Sequence, residues 1–191
     1  MPAAQDILDQ GKEPNLDDGT PEQIMVRRMT RVLVTGMSGA GKSTVLAELA
    51  RRGHRVLDTD YGGWIEEFPD PDGPGVDRRW RQEVIDAVLA EPVARTLFVS
   101  GTVSNQGRFY PRFHAIVLLT APLEVLLARV AARDTNDYGK ARAERDEIVH
   151  YVATVEPLLR AGATAEIDTR APITAVADEL ELIARLASLS P

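Results

Sequence analysis

The sequence predicts an α/β fold in which a parallel sheet is covered by helices on both faces. Three observations predict it. Short apolar, β-branched runs recur at residues 32–34, 54–57, 96–100, 115–119 and 165–167. Segments of helical spacing separate them, and strands alternating with helices imply parallel strands joined by crossovers. The first run leads directly into Gly36-Met37-Ser38-Gly39-Ala40-Gly41-Lys42-Ser43, which satisfies the phosphate-binding pattern G-x-x-x-x-G-K-[ST] at every fixed position. A chain of 191 residues is long enough to bury one substantial core.

Each element follows in order. Residues 1–30 are polar and contain Pro2, Pro14 and Pro21, so they are expected to form a flexible arm; Ile24, Met25, Val26 and Met29 suggest a short helix within it. Residues 31–191 form the domain. After the first strand and the glycine-rich turn, Val45, Leu46 and Leu49 mark a helix, ended by Arg51-Arg52-Gly53. The second strand runs into Asp58-Thr59-Asp60. Residues 61–76, rich in Gly, Pro and Asp, are expected as loop, and Asp77 as the cap of a helix over 78–89. The third strand ends at Ser100-Gly101, followed by a polar loop over 101–113. The fourth leads to Pro122, which suits the first turn of a helix to about residue 133. Residues 134–139 break the apolar pattern. A long charged helix over 140–162, disturbed near Pro157, precedes the fifth strand, and a final amphipathic helix covers 173–187.

The glycine-rich turn carries the chemistry. Its glycines admit conformations closed to other residues, and successive backbone N–H groups then point inward at the start of a helix, where partial positive charge collects. Gly36, Ser38, Gly39, Ala40, Gly41, Lys42, Ser43 and Thr44 are therefore the expected phosphate site. Lys42 is placed to reach the β- and γ-phosphates of ATP, and the Ser43 hydroxyl to ligate Mg2+. In open α/β sheets, ligands sit beyond the carboxyl ends of the strands, which is where Asp58 and Asp60 fall. Asp58 is the candidate second magnesium residue, because the third strand ends without a carboxylate and magnesium needs one or two.

Composition narrows the class. There is no cysteine, which removes disulfides and thiol catalysis. A net charge of −7 argues against non-specific nucleic-acid binding. Three histidines, none at ligand spacing, argue against zinc. No run is apolar enough to span a membrane and no leader pattern is visible, so a cytoplasmic protein with neither membrane nor nucleic-acid partner is expected. Asp70-Pro71-Asp72-Gly73 fits D-x-x-G, but no N-K-x-D accompanies it, which sets a GTPase aside.

From Arg31 to about Leu186 the chain resembles the small P-loop kinases: shikimate, gluconate, dephospho-CoA and nucleoside monophosphate kinases. "VLDTD", "WRQEVIDAVL", "LFVSG", "LLARVAAR" and "AEIDT" follow the shikimate kinase order, while "GMSGAGKST" is similar to the gluconate kinase loop. The resemblance implies a three-layer P-loop NTPase fold with a five-stranded parallel sheet in the order 2-3-1-4-5, a closing lid, and transfer of the γ-phosphoryl of Mg-ATP to a small-molecule acceptor. It implies that Lys42, Asp60 and Arg133 are catalytic and that Arg129, Arg170 and Pro172 border the nucleotide. It places Asp60, Trp64, Arg81 and Gly101 on the acceptor side. Gly101-Thr102-Val103 stands where shikimate kinases have three glycines, and residues 133–145 lack their Arg-Pro-Leu-Leu lid pattern, so shikimate is not the expected acceptor. The alternatives are a nucleoside or nucleotide kinase, with Asn105 and Gln106 reading a base, and a nucleotide-binding regulatory module without an acceptor.

Overall fold

The computed structural model describes residues 30–71, 75–92, 95–134 and 137–189. The expected arm and its short helix fall at 1–29, outside the described residues apart from Thr30. In chain order the elements are β1 (Arg31–Thr35), α1 (Lys42–Arg51), β2 (Arg55–Asp58), β3 (Ile65–Pro69), β4 (Val76–Trp80), α2 (Gln82–Ala90), β5 (Leu97–Ser100), a 3-10 helix (Gln106–Arg112), β6 (Ala115–Thr120), α3 (Leu123–Ala132), α4 (Arg142–Thr154), α5 (Glu156–Gly162), β7 (Ala165–Asp168) and α6 (Ile173–Leu189).

The main sheet has the order β2-β5-β1-β6-β7, with every pair parallel. Counted within that sheet, this is the predicted 2-3-1-4-5. β1 lies at its centre because Val32, Leu33 and Val34 are apolar on both sides, as a strand buried on two faces must be. Val32 and Val34 join the core beneath α1 and α6, with Val45, Leu46, Leu49, Val176 and Leu180. Leu33 points the other way, to a second core with Ile85, Leu89, Val99, Phe109 and Trp80.

Two expectations are corrected. Residues 61–76 are not all loop, and no helix starts at Arg78. β3 and β4 form an antiparallel hairpin separate from the main sheet, in the register Ile65↔Trp80, Glu66↔Arg79, Glu67↔Arg78, Phe68↔Asp77. Oppositely charged residues face each other across the two strands, which supports pairing. Trp80, fully buried, ends β4 and fixes the hairpin to the second core. Asp77 caps nothing: it accepts from Arg79 Nε at 2.6 Å, while α2 starts after Arg81. Helical spacing from Trp80 to Leu89 is what masked the strand, since a strand ending on a buried aromatic gives the same spacing. The expected helix over 140–162 is two helices, α4 and α5, divided at Val155 with Pro157 in the first turn of α5.

Candidate active site

The chain leaves β1, turns through Gly36 to Gly41 and enters α1 at Lys42. Gly39 has φ 84°, and a Cβ there would stand 2.5 Å from the Leu126 carbonyl oxygen, so only glycine fits. Gly41 precedes α1 in the left-handed region, and no side chain caps the helix. The first N–H groups of α1 are thus left for an anion, with the helix dipole behind them. Lys42 folds back across the turn, its Nζ donating to the Gly36 carbonyl at 2.6 Å. Burial pulls this ammonium below the usual lysine range. Asp60 and Asp58 hold it up, whereas Arg133 and Arg78 depress it further. Four charges, from two strands and two loops, therefore act on one ammonium.

Asp58 is the last residue of β2 and lies beside Ser100, the last residue of β5. Alternation puts both on the face of Val56 and Phe98, which α1 covers. The Ser100 hydroxyl is fully buried and has no partner among the described residues. The oxygens of Ser43, Asp58 and Ser100 are hard donors, and no cluster of three metal-ligating side chains occurs among the described residues. That set fits a magnesium ion held mainly by phosphates and water rather than by a protein cage. β2 ends at Asp58 and does not continue through Asp60. The chain turns instead: Asp60 N–H donates to Asp58 Oδ1 at 3.2 Å and Tyr61 N–H to the Asp58 carbonyl at 3.4 Å. Asp60 is exposed at this turn.

On the opposite side, Arg129 of α3 bridges two loops. It donates to the Gly39 carbonyl at 3.3 Å and to both oxygens of Thr169, at 2.8 and 2.6 Å. Arg133 follows the end of α3 and donates through Nη2 to the Tyr138 carbonyl at 2.8 Å; its Nε is buried without a partner among the described residues. The loop between α3 and α4 is tied to α4: Tyr138 donates to Glu147 at 2.6 Å, and the N–H groups of Gly139 and Ala141 donate to Glu144. Arg170 folds onto Asp168, with Nε at 2.8 Å from Oδ2, and Pro172 opens α6 by accepting from Ala175 and Val176. Both border the same end of the sheet as Arg129.

The expected acceptor residues gather at the base of the hairpin. Trp64 packs on the second core, and its carbonyl accepts from the Arg81 N–H at 2.9 Å. Arg81 is exposed and reaches the Gly63 carbonyl at 3.4 Å. Gly101 is buried: a Cβ would meet the Thr59 hydroxyl and stand 2.8 Å from Trp80 Cζ2. Trp80 Nε1 donates to Thr59 Oγ1 at 2.9 Å, and Thr59 passes the bond to the Ser100 carbonyl at 2.7 Å. The Asn105 and Gln106 amides, the candidate base readers, are engaged within the protein. Asn105 clamps the backbone of Trp80, at 2.9 and 3.0 Å. Gln106 is buried, donates to the Tyr110 hydroxyl at 2.9 Å and accepts from Val103 N–H at 3.3 Å.

Two residues escape the sequence reading. Thr102 donates its hydroxyl to the Gly36 carbonyl at 2.9 Å, pinning the start of the phosphate turn. Its signal was present, since it occupies the second position of the family's glycine run. Arg78 acts on Lys42 from the hairpin, and no signal for it existed while 78–89 read as a helix.

A family model described as "AAA domain" matches residues 32–150. A curated relative, the nucleotide-binding protein GDI1189 of Gluconacetobacter diazotrophicus, is 32% identical over 157 residues, which is 80% of this chain. The chain spans only 39% of that relative's length. Among solved structures, shikimate kinase from Acinetobacter baumannii, in complex with shikimate, superposes with a TM-score of 0.61 at 21% identity, over 87% of this chain and 98% of that one. A gluconokinase from Sinorhizobium meliloti 1021 gives 0.54 at 20% identity, over 84% and 95%. The chain belongs to the AAA-domain family and carries the fold of the small P-loop kinases.

Proposed function

We propose that the protein is a kinase that transfers the γ-phosphoryl of Mg-ATP to a small-molecule acceptor. The observation that carries this reading is the turn at the end of β2, where Asp58, beside Ser100, accepts from the N–H of the exposed Asp60. A nucleotide-binding site alone needs the phosphate turn and one magnesium residue. It does not need a second, exposed carboxylate beside it. Bound magnesium would neutralise charge on the β- and γ-phosphates, with Ser43 and Asp58 as its protein-side residues. The turn from Gly36 to Thr44 cradles the phosphates, and Lys42 stabilises charge on the transferring group. Asp60 faces the acceptor, orients its hydroxyl and takes its proton as the oxygen attacks phosphorus and the bond to the bridging oxygen of ADP breaks. Arg133 supplies positive charge from the lid. Arg129, Arg170 and Pro172 border the nucleotide base, and Trp64, Arg81 and Gly101 shape the acceptor side. The arm over 1–30 and the domain over 31–191 remain the proposed division of the chain.

A nucleoside acceptor is less well supported, because the amides of Asn105 and Gln106 are already engaged. The regulatory-module reading draws on the printed name of the curated relative, a nucleotide-binding protein of which this chain spans a part. Coupled ADP release measured across a panel of hydroxyl-bearing metabolites and nucleosides tests the two against each other. Acceptor-dependent ADP release is the expected result, and its absence with every acceptor favours the module.

A further inference from the structure

The β3–β4 hairpin has two faces that do different things. Residues paired across an antiparallel ladder share a face. Glu66, Phe68, Asp77 and Arg79 form one face, which lines a cavity of about 460 Å³ together with Ser104 and Arg108. Ile65, Glu67, Arg78 and Trp80 form the other. On that second face, Trp80 and Ile65 are packed into the core, with the Trp80 indole against Thr59 and Gly101 at the ends of β2 and β5. Arg78 lies two residues further out on the same face, about 7 Å along the strand. It is thus the next side chain outward on this face from the Trp80–Thr59 contact, Thr59 lying between Asp58 and Asp60 in the chain, and its charge reaches the Lys42 ammonium. Its backbone is fixed there: the Arg78 carbonyl accepts from Ser104 N–H at 3.1 Å and Ser104 Oγ at 3.3 Å.

The Arg78 guanidinium is held loosely. Its Nε is 3.5 Å from Glu67 Oε1, with side chains 47% and 63% exposed. An ion pair that exposed contributes little and releases its cation readily. A planar guanidinium suits the oxygens of a phosphoryl group.

We propose that Arg78, delivered by the β3–β4 hairpin, binds the terminal phosphoryl of a nucleoside triphosphate seated in the phosphate turn, and so lets the protein distinguish ATP from ADP. The proposal rests on ATP binding at Lys42 but not on phosphoryl transfer. Calorimetry of the full chain with Mg-ADP and with Mg-AMPPNP, a non-hydrolysable triphosphate, tests it. Arg78→Ala should weaken AMPPNP about tenfold or more and ADP by less than about twofold, the size expected for one charge-assisted contact. Arg78→Lys should recover part of the AMPPNP loss. Equal losses for both nucleotides, or none for either, overturn the proposal. Near-UV circular dichroism of Trp64 and Trp80 reports whether the hairpin keeps its form. If Arg78→Ala disturbs it, Glu67→Gln decides instead. Freeing the guanidinium should raise the AMPPNP preference over ADP, and an unchanged or lower preference overturns the proposal. A parent protein that shows this preference yet transfers to no acceptor leaves Arg78 in place and sinks the kinase reading alone.

Discussion

Arg129 holds Thr169 by both oxygens, hydroxyl at 2.8 Å and carbonyl at 2.6 Å, while a longer bond reaches the Gly39 carbonyl. One side chain thereby fixes the helix entering the lid to the phosphate turn and to the loop after β7. Arg129→Ala should lower unfolding free energy by about 1.5–3 kcal/mol, the cost of losing hydrogen bonds to a charged group. It should also weaken nucleotide binding. Arg129→Lys should not restore either, because an ammonium cannot fork to two oxygens in this way. Chemical denaturation and calorimetry check both effects.

Lys42 gives a pH prediction with a definite sign. Burial lowers its pKa, and Arg133 and Arg78 add to that against Asp60 and Asp58. The charged form binds phosphate, so nucleotide affinity is present below the Lys42 pKa and is lost as pH rises through it. In the free protein that loss begins at a lower pH than for an ordinary lysine. Lys42→Ala should remove this alkaline limb along with most of the affinity. Mg-ATP titrations from neutral to alkaline pH measure it, and an unchanged limb in Lys42→Ala would count against the assignment.

Asp58 and Asp60 should fail differently. Asp58→Asn should weaken magnesium-dependent nucleotide binding as well as turnover, because it lies at the buried strand end beside Ser100. Asp60→Asn should spare nucleotide binding and remove transfer. Calorimetry with and without magnesium, set beside coupled ADP release, separates the two. Full transfer by Asp60→Asn would end its catalytic role.

The phosphate turn and the five strands of the main sheet were legible because each rests on a local pattern, fixed glycines and lysine or an apolar run at a strand. Asp58 could be placed for the same reason. The strand order, which is non-local, came from the family resemblance. The hairpin was not legible. Its strands carry charged residues on both faces, and only the cross-strand pairs Glu66–Arg79 and Glu67–Arg78 make that arrangement favourable. A pairing between residues more than ten apart leaves no local trace. The turn at Asp60 leaves no such trace, because it rests on the Asp58 side chain accepting from the Asp60 N–H, which no apolar pattern marks. Asn105 and Gln106 read as amides open to a base, since no local pattern marks that Asn105 pairs with the Trp80 backbone or Gln106 with Val103 and Tyr110.

Gly101→Ala probes that buried junction. The added methyl would collide with the Thr59 hydroxyl and with Trp80 Cζ2. The variant should lose about 1–3 kcal/mol of stability, as overpacking does, and shift the Trp80 emission. Denaturant unfolding followed by tryptophan fluorescence checks it, and parental stability would mean the ring moves aside without cost.

The hairpin shares no ladder with the main sheet and is held at its base by Trp80, Thr59 and Asn105. Its outer residues can therefore be exchanged or extended without re-registering a single strand of the main sheet. A lineage can retool the hairpin while the phosphate turn stays untouched. In the laboratory the same independence makes residues 65–80 a graftable cassette, to be cut at its anchor points and moved between proteins of this fold to transplant ligand preference.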